Sequence, residues 1–259
     1  MDHTVQATVF TLALFSGMLA LLEIGRRIGL RRMAQDSEGT RAGVGAVEGA
    51  VFGLLGLLIA FTFSGAASRF DTRRQLIVEE TNDIGTAYLR LDLLPVDQQP
   101  ALREKFRQYV DTRLAVYAKL PDIAAAKEEL AKGNRLQGEI WRQAVSASRT
   151  QGASPAAPML LLPALNAMID ITTTRTMAAQ MHPPAIIIAM LFGLALASAL
   201  LAGYAMAAAK SRSWLHMIGF ALATGFAIYV ILDMEYPRLG LIRVDAFDQA
   251  LVEFRQSMQ

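Results

Sequence analysis

The chain contains no cysteine. That excludes disulfides, iron–sulfur clusters, thiolate zinc sites and a cysteine nucleophile. Histidine is scarce, and His3, His182 and His216 stand far apart, without the spacing of metal ligands. No glycine-rich phosphate loop follows a strand pattern, and no Ser/His/Asp arrangement can be drawn. Nothing supplies a positioned nucleophile and base, so neither catalysis, a metal nor a cofactor is expected. A surplus of one charge is missing too, with 25 Lys and Arg against 23 Asp and Glu. Nucleic acid requires basic residues gathered on one face, so it is not among the expected partners.

Apolar length is abundant. Hydrophobic residues make up 53% of the 259 and fall into four long runs: Val5 to Ile24, Val44 to Ala67, Ala185 to Ala209 and Trp214 to Leu232. Each is close to the roughly 20 residues that cross a bilayer as a helix. Hydrocarbon offers backbone groups no partner, so such runs must close their hydrogen bonds internally as helices. The sequence therefore predicts an all-α integral membrane protein, with four transmembrane helices in two hairpins and the lipid bilayer as its first partner. The segments are 1–67 (first hairpin), 68–184 (helical extramembrane middle region), 185–236 (second hairpin) and 237–259 (tail). The first run is followed, not preceded, by Arg26, Arg27, Arg31 and Arg32, the reverse of a cleaved signal peptide, so it is expected to stay as an anchor.

The middle region reads as helix throughout. Ser68 to Leu94 continues the second span without proline, and Phe70, Ile77, Ile84 and Leu91 recur at intervals of seven. That stripe needs a covering helix, while Arg73 and Glu80 in the second seam position speak against a coiled coil. Further helices are expected from Asp97–Pro100, from Pro121–Asp122 to about Thr150, and from about Pro163 to Gln180. Residues 151–158 read as a loop, and Phe247 to Phe254 as a short amphipathic helix.

Small residues repeat every fourth position in the spans. Gly45, Gly49 and Gly53 do so in the second, with Gly56, Ala60 and Ser64 on a shifted face. Ala195, Ala199, Gly203 and Ala207 do so in the third, and Gly219, Ala223 and Ala227 in the fourth. Small residues let helices approach closely in lipid. Three striped helices exceed what one small bundle needs, so a homo-oligomer is expected. Glu48 is a carboxylate inside a span, at a cost of several kcal/mol unless it meets a partner, a cavity or the interface. Asp233 and Glu235 leave the fourth span on the membrane side of Arg69, Arg73 and Arg74. These charges are candidates for an ion-pair cluster or for the mouth of an ion pathway.

Two stretches carry a family resemblance. One runs from Gly53 through Phe61-Thr-Phe-Ser-Gly-Ala-Ala-Ser-Arg-Phe-Asp-Thr-Arg-Arg74 to Pro95, and the other is Leu232-Asp-Met-Glu-Tyr-Pro-Arg-Leu-Gly-Leu-Ile-Arg-Val244. The chain resembles bacterial membrane proteins with a bestrophin-like domain, a family of unknown function. More distantly it is similar to bestrophins, which are pentameric anion channels with four spans per subunit. The resemblance implies an oligomeric channel or pore-like protein for small inorganic ions, with Phe52, Phe61 and Phe63 in place of the hydrophobic pore constriction. The acidic calcium-binding cluster of bestrophins is missing. The rival class is a membrane scaffold or sensor whose middle helices bind a protein partner. Arginines crowd the 25–43 loop, and Lys210 and Arg212 lie in the 210–213 turn. Both loops are therefore expected to be cytoplasmic, with the middle region and termini outside a bacterial inner membrane.

Overall fold

The structure is a computed structural model that describes residues 3–32, 38–208 and 212–258, with the side chains of 3, 4 and 38–44 left aside. Lys210, the side chain of Arg41 and the centre of the 25–43 loop lie outside the described residues. All regular structure among the described residues is helical. The helices are α1 (His3–Arg32), α2 (Glu38–Leu89), α3 (Gln99–Ala118), α4 (Ile123–Ala147), α5 (Ala157–Gln180), α6 (Ala185–Ala205), α7 (Trp214–Glu235) and α8 (Gln249–Ser257). Four of the described helices are long and apolar enough to cross a membrane.

Several boundaries differ from the sequence expectation. The 25–43 loop is mostly helix, because α1 runs on to Arg32 and α2 begins at Glu38. Arginine is a good helix former, and Arg31 and Arg32 in the last turn oppose the negative end of the helix dipole. Helix α5 starts at Ala157, ahead of Pro163. The carbonyl that Pro163 leaves without its intrahelical donor belongs to Met159, which is exposed. In the tail, a short 3₁₀ turn at Asp245–Asp248 precedes α8. The start of α4 is set by Asp122, whose carboxylate accepts the backbone N–H of Ala125 at 3.0 Å.

The chain divides into two compact units, Met1–Ser68 with His182–Tyr236, and Arg69–Met181 with Pro237–Gln259. The two hairpins thus assemble together, and the tail joins the middle helices. In the first unit α1 is central. Close approaches pair Gly17 with Leu196, Gly25 with Leu200 and Gly29 with Ala207, so α1 and α6 run parallel. Thr11 faces Gly225 while Glu23 meets Arg212, so α7 runs antiparallel to α1.

The second unit is a bundle around the outer part of α2. Its core joins Ile84, Ala87 and Leu91 of the α2 end to Phe106 and Tyr109 of α3, Ile140 of α4, Leu165 of α5 and Leu251 of α8. The seven-residue stripe read from the sequence is buried: Phe70, Ile77, Ile84 and Leu91 are at most 9% exposed. Its covering helices come from its own chain.

Candidate functional site

The membrane half of α2 has two unlike sides. One carries Glu48, Leu55, Thr62 and Ala66, all buried, and beside them Phe52 meets Phe220 of α7 edge-on with centroids 6.1 Å apart. Its own chain covers that side. The other carries Gly45, Gly49, Gly53 and Gly56. Apart from the helix's own neighbouring residues, no described atom lies within 4 Å of where a Cβ would stand at any of the four. Phe63, 46% exposed, shares this open side by helical spacing. Phe61 is turned roughly 160° away from Phe63 by a helix that rotates about 100° per residue. The three phenylalanines therefore do not share one face.

The other small-residue stripes divide in the same way. Ala195, Ala199 and Gly203 of α6 are buried against α1. A Cβ on Gly203 would fall on the carbonyl of Leu22, and one on Gly25 on the carbonyl of Leu200. The partner glycines, Gly25 and Gly29, went unrecognised because they sit among arginines at the end of the first apolar run. Gly219 of α7 has open space around it, and Ala223 is exposed.

Glu48 is 8% exposed, and its Oε1 makes no hydrogen bond among the described residues. The charges at the end of α7 are buried as well. Asp233 is 1% exposed and accepts the Tyr229 hydroxyl at 3.4 Å. The Glu235 carboxylate is 3.5 Å from Nδ1 of His182, whose ring stacks on Tyr236 with centroids 4.4 Å apart.

In the second unit Arg73 donates to the carbonyls of Ala178 and Met181 at 3.1 and 2.8 Å, satisfying the C-terminal end of α5. Arg74 pairs with Asp71, and its guanidinium lies over the rings of Phe70 and Phe247. Beside it is an open cavity of about 500 Å³, lined by Gln75, Val78, Glu79 and Asn82. Arg69 is half-buried.

A buried ionic chain was not foreseen. Glu80, fully buried, bridges Arg113 at 2.5 Å and Arg175. Arg175 continues to Asp248, which also holds Arg238. The guanidiniums of Arg175 and Arg238 each lie 4.1 Å from the centre of the Tyr117 ring. Nearby charge holds Arg238 above its ordinary pKa: burial pulls it down, and the hydrogen bond and charge of Asp248 outweigh that. The available signal was Glu80, a carboxylate three residues after Ile77 in an apolar heptad. Next to this chain Gln137 donates to both Tyr109 and Thr172, at 3.0 and 2.9 Å. Burial pushes the Tyr109 phenol up to about 12.

The pattern of elements and motifs is matched by one family model, that of the Bestrophin-like domain, over residues 12–246. The chain belongs to the Bestrophin-like family. No curated protein and no solved structure matches it. The match enters the first span at residue 12 and takes in the other three spans and the middle helices, so both stretches that carried the resemblance fall inside the family region.

Proposed function

We propose that the protein is a subunit of a homo-oligomeric pore for small inorganic ions in a bacterial inner membrane, and not an enzyme. One observation carries this reading, the uncovered membrane half of α2. In its most apolar window 11% of residues are buried, against 22, 28 and 33% for the other three spans. A bare glycine stripe facing lipid contributes no association, whereas against another helix it permits close backbone packing. An equivalent α2 from a neighbouring subunit meets that need, and a ring of such helices encloses an axis. On this reading Phe63 narrows the axis, Phe52, set by helical spacing about 20° from Phe63 and three turns earlier, flanks it where it meets Phe220, and Glu48 tunes it from the buried side. Arg73, Asp233 and Glu235 are held by contacts inside their own units, which suits them to bracing helix ends more than to lining the pathway. The non-enzyme reading rests on the sequence, which offers no nucleophile and base at a workable spacing; Ser213 and His216, 2.6 Å apart, are near neighbours at the start of α7.

The test is ion flux. Protein reconstituted in liposomes is expected to pass small ions, and Glu48→Gln to change selectivity or its pH dependence while leaving native mass intact. Protein that passes no ion over a range of pH and voltage removes the pore and leaves the scaffold whose helical unit binds a protein partner.

A further inference from the structure

We infer that the paired ends of α1 and α7 form a binding site for the headgroup of an anionic phospholipid. The inference does not depend on the pore reading. Helix α1 carries Glu23, Arg27 and Arg31 at successive turns, which places them on one face. Glu23 accepts Arg27 and also Arg212, each at 2.8 Å, and this double contact draws the start of α7 against that face. One carboxylate is thereby shared between two guanidiniums. Arg31 has no ion-pair partner among the described residues, and the buried Nε of Arg26 makes no hydrogen bond. Among the described residues the cluster therefore holds four arginines, Arg26, Arg27, Arg31 and Arg212, against Glu23. The side chains of Arg27 and Arg212 are 71% and 39% exposed, so an anion can reach their guanidinium groups. A phosphodiester suits the cluster, because guanidinium groups offer paired donors to phosphate oxygens.

The surroundings point to a lipid as the source of that phosphate. Arg212 lies over the ring of Trp214 at 5.1 Å, and Trp214 is 51% exposed. Tryptophan at the end of a span marks the headgroup level. Apolar side chains stand open directly beside the charges, with Ile24 46% and Leu215 81% exposed, where acyl chains would lie. A soluble anion would use the arginines and leave that apolar surface idle.

The test uses the full-length protein with Trp141→Phe, so that Trp214 is the remaining fluorophore. It is reconstituted in bilayers containing brominated phosphatidylglycerol or brominated phosphatidylcholine at equal mole fraction. Phosphatidylglycerol is expected to quench Trp214 with a preference of about fivefold in relative association, the equivalent of the roughly 1 kcal/mol that one basic residue gains at an anionic surface. The preference should weaken several-fold in Arg31→Gln and in 1 M salt. Equal quenching by both lipids overturns the site and reduces it to ordinary boundary contact. Millimolar inorganic phosphate is expected not to compete. If it abolishes the preference, the cluster is a general anion site and the lipid assignment fails. The headgroup and salt comparisons need no variant at the site, so they decide the matter even if Arg31→Gln folds poorly.

Discussion

At the scale of single residues, the second unit stakes its stability on buried polar groups that are almost fully paired. Glu80 neutralises two guanidiniums that are themselves 1% and 5% exposed. Glu80→Gln removes the shared charge and is expected to lower stability by about 3–5 kcal/mol, the usual consequence of stranding a buried charge. Replacing Glu80 and Arg113 together by apolar residues of similar size should cost less than the single change. Melting of the purified variants in detergent checks both, and a single variant as stable as wild type would show that the bridge contributes little. Tyr109 offers a pH test. Its phenol is raised to about 12 by burial, while the unfolded chain ionises near 10. Between those values the unfolded state loses a proton that the folded state keeps, so stability should fall as pH rises through that window. The shift corresponds to about 2–3 kcal/mol in total. Tyr109→Phe should abolish this alkaline slope. It should also cost roughly 1–3 kcal/mol at neutral pH, because Gln137 and Thr172 each lose a partner. An alkaline slope that persists in Tyr109→Phe would assign it to another group.

At the scale of elements, glycines that look alike in sequence do different work. Gly25 and Gly203 sit where α1 and α6 touch backbone to backbone. Backbone cannot retract as a side chain can, so even Gly203→Ala should destabilise the first unit by at least the 1–3 kcal/mol typical of overpacking. Gly49 has open space in the single chain. Gly49→Leu should therefore leave the melting of the isolated subunit unchanged and lower the assembled fraction seen by native mass spectrometry. Unchanged native mass for Gly49→Leu would take the α2 stripe out of the assembly. A similar loss of subunit stability in Gly49→Leu and Gly203→Leu would show that both stripes pack within one chain.

At the scale of the whole molecule, the two hairpins cross the membrane in the same sense, since α6 runs parallel to α1 and α7 antiparallel to it. Both hairpin turns therefore share one side. The arginines of α1's last turns and Arg212 lie on that side, and the bias of short cytoplasmic loops toward basic residues makes the cytoplasm the expected side. With no native cysteine to interfere, Ser37→Cys and Ser146→Cys report on the two sides cleanly. Ser146 is exposed on α4. An impermeant maleimide applied to spheroplasts should label Ser146→Cys and spare Ser37→Cys. The reverse pattern would invert the protein and put the helical unit in the cytoplasm.

Four spans, an all-helical middle region and the family were legible in the chain itself. Hydrocarbon imposes one solution on a long apolar run, and a seven-residue apolar repeat such as Phe70, Ile77, Ile84 and Leu91 marks a buried face whatever covers it. The extent of α1 and α5 was less legible, because the arginines end the first apolar run and Pro163 reads as a helix start, although α1 continues through the arginines and α5 begins ahead of the proline. Which stripe packs inside the subunit was decided only by the tertiary structure. Gly49 and Gly203 have the same local pattern, and the difference lies in whether Leu22 or empty space faces them across the gap. The same holds for Glu80. Its position in a heptad marked it as out of place, but its two partners lie 33 and 95 residues further along the chain. No local rule reaches that far: a buried carboxylate is tolerable only when folding has already gathered the charges that neutralise it.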